Sequence, residues 1–182
     1  MDNADTIDEL LEACQRGDRL AQKALYELYS PSLYALALRY MGIPERAQDV
    51  LIESFTLIFR HLEKHRPDGS LEAWMRRITV RRALRHLRRK WNNTMVLHHS
   101  AVPEPPRLAT PEQELCTKVA LEDGLSRLSP EERTVFNLVA VEGYHFADLP
   151  RLTGIAVHNA KRIYAKARET MKQTLTEHEI TL

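Results

Sequence analysis

Apolar residues recur at three- and four-residue intervals along most of the chain, and strand-type alternation is scarce. That period predicts helices with one buried face each. A first helix is predicted over about 7–15, stopping at Gly17. A second is predicted over 21–41, where Leu25, Leu28, Tyr29, Leu33, Leu36, Ala37 and Tyr40 repeat at helical spacing. Pro31 lies inside it, and proline removes a backbone donor and crowds the carbonyl four residues back, so a break or kink is expected. Gly42 and Pro44 end the segment. A third helix over 44–64 carries the stripe Val50, Leu51, Ser54, Phe55, Ile58, Phe59 and Leu62. Pro67, Asp68 and Gly69 predict a turn, and Ser70 is placed to cap the fourth helix.

The fourth helix, LEAWMRRITVRRALRHLRRKW, changes the picture. Arg76, Arg77, Arg81, Arg82, Arg85, Arg88, Arg89 and Lys90 follow one another after Trp74 with no acidic residue among them. On a helical wheel Leu71, Trp74, Met75 and Ile78 share one face, while Val80, Leu84, Leu87 and Trp91 share roughly the opposite one. The first half is therefore expected to pack into a core and the second half to lay a basic face on something anionic. A solvated surface is the plain alternative. Such surfaces usually mix charge signs, because like charges one turn apart repel. An all-arginine span points to a polyanion, and nucleic acid fits best. Trp74 is assigned to the core with Leu71 and Ile78. Trp91 stays open between core and base stacking.

Residues 92–111, NNTMVLHHSAVPEPPRLATP, break the helical pattern. Four prolines there predict a semi-extended linker. The reading is thus all-α, with two small helical domains over 1–91 and 112–182. Ser129 and Glu132 have capping-box spacing, and Pro130 sits at the first helical position. Val135, Leu138 and Val139 form an apolar face, and Gly143 is placed as a left-handed stop. A short helix over 146–152, a turn at Gly154, Ile155 as a core plug and a longer helix over 156–175 make a helix-turn-helix. His158, Asn159, Lys161, Arg162, Lys166, Arg168 and Lys172 lie on the longer helix. Asn and Arg there can read base edges and Lys can meet phosphate. Ile163, Ala167 and Met171 are expected to face inward. A plain helical hairpin would share this spacing; a second basic helix elsewhere in the chain favours DNA.

Composition narrows the class further. Hydrophobic residues make up 43% of the chain, enough for a folded protein. Cys14 and Cys116 form no zinc or disulfide pattern and read as core thiols in a reducing compartment. The N-terminus has no signal pattern, and no apolar run reaches the ~20 residues of a membrane span. A cytoplasmic protein is expected. No phosphate loop, HExxH or nucleophile elbow is present, so neither an enzyme nor a cofactor is expected. His61 and His65, and the pair His98 and His99, read as surface residues rather than metal ligands.

Both halves together resemble one family, the extracytoplasmic-function (ECF) sigma factors of bacterial RNA polymerase. The resemblance rests on Gly17-Asp18, LYELY at 25–29, LALALRYMG ending at Gly42, RAQDVLIESF at 46–55, GSLEAWMRRI at 69–78 and RALRHLRR. LSPEERTVFNLVAVEGYHFADL and GIAVHNAKRIYAKAR complete it. It implies a first domain that docks on polymerase through Asp49, Ile52, Glu53 and Phe55. It implies contact with promoter DNA through Arg77, Arg81, Arg82, Arg85, Arg88 and Arg89, and through His158, Asn159, Lys161, Arg162, Lys166 and Arg168. It implies three partners: core RNA polymerase, promoter DNA and an anti-sigma factor. The chain departs from the family pattern at Ile52, where Gln is frequent, at Arg81, where Asn is frequent, and at Pro150. Pro150 is compatible with its helix only in the first turn. These departures leave two alternatives: a sigma-like adaptor that binds polymerase without initiating, and a free-standing helix-turn-helix regulator.

Overall fold

A computed structural model of the protein describes residues 3–65, 70–90 and 121–180. All regular structure among them is helical. The chain divides into two compact units, one made of Met1–Leu38 with Ile43–Ala83 and the other of Arg39–Gly42 with Leu84–Leu182. The predicted turn at 67–69, the linker at 92–111, Trp91, Cys116 and the pair His98 and His99 lie outside the described residues.

The first unit is built on α1 (Asn3–Gln15), α2 (Arg19–Met41) as far as Leu38, α3 (Pro44–Arg60), a 3-10 turn at Leu62–Lys64 and α4 (Leu71–Lys90) as far as Ala83. Asp18 starts α2: its Oδ1 accepts the Leu20 and Ala21 amides at 2.8 and 3.2 Å. Gly17, at φ +85°, makes the reversal that brings Asp18 there. The break expected at Pro31 does not occur, and α2 continues past it. Pro31 is exposed, so water can satisfy the backbone group its ring leaves without a partner. Leu28, expected in the core, is 57% exposed, whereas Leu25, Leu33, Leu36, Ala37 and Tyr40 are buried. The buried set spans a narrower arc than the apolar pattern suggested. On α3, Val50, Leu51, Ser54, Phe55 and Ile58 are buried as the stripe predicts. Ser70 Oγ accepts the Ala73 amide at 3.3 Å, as its capping role requires.

The second unit takes in a helix over 121–127 (α5), α6 (Pro130–Phe136), a π turn at Asn137–Val141, a 3-10 turn at Phe146–Asp148, α7 (Leu149–Thr153) and α8 (Val157–Ile180). The capping box forms in full at Ser129 and Glu132. Gly143 and Gly154 have φ of +71° and +81°, at the left-handed stop and the tight turn read from the pattern. Pro150 sits in the first turn of α7, where it has no intrahelical bond to break. Leu125, Leu128, Ala167 and Met171 pack together, with Leu121 and Phe136 against them. Gly124 permits the close approach of α5 to α8, since a Cβ on it would lie 2.7 Å from the Met171 thioether.

Two inward assignments on this unit shift. Ile155 and Ile163 are only half-buried. The buried line on α8 is Ala160, Ala167, Met171 and Thr174. Ile163 stands about 60° off that line, so the small Ala160 faces inward in its place.

Candidate nucleic-acid interface

The recognition helix of the predicted helix-turn-helix is α8, and its outward face is cationic. Each residue turns ~100°, so His158, Lys161, Arg162, Ala165, Arg168, Glu169 and Lys172 all fall within about 60° of one line opposite the buried stripe. All seven are exposed, and Glu169 is the one acidic residue among them. Among the described residues, no carboxylate pairs with Lys161, Arg162 or Arg168. The left-handed turn at Gly154 ends α7, and α8 begins three residues later. Its first two turns therefore carry His158, Lys161 and Arg162 outward, free of the preceding helix. Asn159 and Lys166 lie on the flank, about 100° or more from that line. Asn159 is half-buried. Lys166 Nζ is 2.8 Å from Glu132 Oε1 on α6.

On the other flank Tyr164 stacks on Phe136, with centroids 6.0 Å apart, and meets the edge of Phe146 at 5.4 Å. These contacts pin α8 to α6 and to the turn before α7. Arg133 fixes the neighbouring α5. Its Nε donates to Leu125 O at 2.8 Å, and its Nη2 donates to Leu128 O at 3.2 Å and Ser126 O at 3.4 Å. A cation thus closes the carbonyl end of α5. Burial pushes the Arg133 guanidinium below its ordinary pKa.

The basic span of α4 sorts differently from the wheel read in the sequence. Leu71, Ala73, Met75, Thr79, Val80, Ala83, Leu84 and Leu87 are all buried, a wide arc rather than a stripe that changes sides. Arg77, Arg81, Arg85 and Arg88 share the remaining arc, about 80° wide. Trp74 lies within that arc and is half-buried, with its ring meeting His65 edge-on at 5.6 Å. It borders the core instead of filling it. Arg85 is exposed, and Arg77, Arg81 and Arg88 are half-buried. Burial lowers the pKa of Arg88. Arg82 stands off the arc and meets Glu53 of α3 at 3.5 Å. The Arg89 side chain lies outside the described residues.

Residues named for polymerase docking lie together on α3. Asp49 and Ile52 are exposed, Ile52 by 54%, and Glu53 is half-buried. Phe55 points inward at 3% exposure and packs on Tyr26 and Phe59, at centroid distances of 4.6 and 5.7 Å. It supports the outer face of α3 from beneath. The alternating inward stripe of α3 already carried that information, since Phe55 belongs to it.

The model of sigma-70 region 2 matches residues 25–93. The chain is 30% identical over 167 residues to the ECF RNA polymerase sigma factor SigM of Mycobacterium tuberculosis, covering 92% of this chain and 83% of that protein. The chain belongs to the ECF RNA polymerase sigma factor family. It is also 25% identical to the RNA polymerase sigma-H factor of Pseudomonas aeruginosa, over 92% of each chain. To the ECF RNA polymerase sigma-E factor of Haemophilus influenzae it is 25% identical, over 93% of this chain and 95% of that one. Region 2 of this sigma factor therefore takes in most of α2, all of α3 and the whole arginine arc of α4. The likeness to SigM extends well beyond region 2, into the helix-turn-helix. No group of three or more His, Cys, Asp or Glu able to hold a metal occurs among the described residues. No described helix is long and apolar enough to cross a membrane.

Proposed function

We propose that this ECF sigma factor binds core RNA polymerase and carries it to promoters, acting through binding alone. Its second domain, 112–182, meets duplex DNA upstream with α8. Lys161, Arg162 and Arg168 are the principal cations of that contact, with His158 and Asn159 beside them. Along α4, Arg77, Arg81, Arg85 and Arg88 meet the opened strand downstream, with Trp74 in the same arc available to a base. Asp49, Ile52 and Glu53 form the outer face of α3 that docks on polymerase. Membership of the family carries with it the expectation of an anti-sigma partner.

The observation that carries this reading is the outward cationic face of α8, which begins just after a left-handed glycine turn. Helix-turn-helix proteins enter the major groove with the N-terminal residues of the second helix. A cluster of cations there, with no carboxylate partner for Lys161, Arg162 or Arg168 among the described residues, matches the phosphate backbone. The test is reconstituted initiation: purified chain, core polymerase and a library of genomic fragments. Specific start sites that appear only with the chain support the reading. Binding to core without initiation supports an adaptor instead, and duplex binding without core supports a free-standing regulator.

A further inference from the structure

Lys166 resembles its neighbours in sequence but not in its surroundings. We propose that Lys166 and Glu132 form an anchor that sets the rotation of the recognition helix, and that Lys166 does not contact phosphate. This rests on the reading that α8 meets DNA. Glu132 uses both carboxylate oxygens: Oε2 accepts the Ser129 amide at 3.0 Å, and Oε1 lies 2.8 Å from Lys166 Nζ. Its side chain is 13% exposed, so the pair is well shielded at the acidic end. The lysine, in contrast, reaches in from outside, at 76% exposure.

The geometry explains why such an anchor is useful. The inward line of α8 is made of Ala160, Ala167, Met171 and Thr174. Two alanines give little purchase against rotation, and methionine adapts its shape readily. Helix orientation must then be set on the flanks. Tyr164 holds one flank through Phe136 and Phe146. Lys166 holds the other through Glu132. Lys166 is one turn beyond Arg162, so fixing it fixes the direction of Arg162 and Lys161. Because Glu132 also closes the capping box of α6, the anchor ties α8 to the capped N-terminus of that helix.

The test uses the full chain and a mixed-sequence 30-base-pair duplex, with affinity measured across a salt series. Lys166→Met keeps the aliphatic stem and removes the charge. Glu132→Gln keeps an acceptor for the capping box and removes the ion pair. If Lys166 is an anchor, both variants weaken binding in parallel at every salt concentration, by about two- to five-fold. The slope of log affinity against log salt stays at the wild-type value. The double variant is no weaker than either single one, and Lys166→Arg restores wild-type affinity. Arg162→Met serves as the reference and lowers the slope by about 0.9. A drop of that size in Lys166→Met as well would overturn the anchor while leaving α8 as the DNA face. No change of slope in Arg162→Met would overturn the reading of α8, and the anchor with it. Thermal melts of each variant distinguish loss of the anchor from loss of the fold.

Discussion

Replacing Arg133 with Met should loosen the carbonyl end of α5 while leaving the side chain's stem in place. The guanidinium makes three donor contacts there, at 2.8, 3.2 and 3.4 Å. Hydrogen bonds from a charged donor contribute about 1.5–3 kcal/mol each, and the longest of the three contributes little. A cation at a helix C-terminus adds up to about 2 kcal/mol in a partly buried setting. Against this stands the cost of partly desolvating the guanidinium, which the lowered pKa of Arg133 reveals. Removing the cation recovers that cost. It also takes the charged donor from the part-buried Leu125 and Leu128 carbonyls, so a net loss of about 2–4 kcal/mol remains. Amide hydrogen exchange over residues 121–136 reads this locally. A loss of that size speeds exchange there by roughly 30- to 700-fold at ~1.4 kcal/mol per factor of ten. Arg133→Lys keeps the charge but not the fork, and should fall between wild type and Met. Exchange within about twofold of wild type in Arg133→Met would refute the reasoning, because the three contacts would then contribute nothing net.

Three further outcomes follow from single sites. The Lys166 ammonium, assisted by the Ser129 amide and hydroxyl, holds the Glu132 carboxyl below the usual glutamate value in spite of burial. A depressed acid stabilises the fold above its unfolded pKa, about 4.3, and loses that contribution as pH falls through the depressed value. The gap between wild type and Glu132→Gln in thermal melts should therefore be full at pH 6 and close progressively below about pH 4. A gap independent of pH would contradict this. Gly154, at φ +81°, should tolerate Ala only at a cost of about 1–2 kcal/mol, seen as a lower urea midpoint with unchanged slope. Burial, with help from Asp18, raises the pKa of the Cys14 thiol. Iodoacetamide at neutral pH should label Cys14 slowly in the folded protein and readily in urea, as read on the Cys14 peptide by mass spectrometry.

Much of this fold could be read from local chemistry. Ser129, Glu132 and Pro130 determine a helix start through contacts within four residues, and the capping box forms as the spacing requires. Gly143 and Gly154 mark their turns because only glycine enters the left-handed region at little cost. Where the outcome hinged on which side of a helix faces a neighbour, the pattern was less informative. Leu28 is apolar and exposed, and Pro31 is tolerated because it faces outward. On α4, alanines and Thr79 widen the buried arc. A wheel that counts only large apolar residues passes over them, and so it placed Trp74 in the core. The candidate site shows the same limit. The cations themselves were legible, but their partners were not. Glu53 is 29 residues from Arg82, and Glu132 is 34 from Lys166. Only the packing of one helix on another shows that these two cations are held by carboxylates, while among the described residues no carboxylate holds Lys161, Arg162 or Arg168.

The proposed function requires two cationic helices, α4 and α8, to engage one promoter together. Hydroxyl-radical footprinting of the reconstituted holoenzyme on a promoter fragment tests it most directly. Two separate protected segments are predicted. Lys161→Glu with Arg162→Glu should erase the upstream one, and Arg85→Glu should weaken the downstream one. A single segment indifferent to both charge reversals would contradict the account.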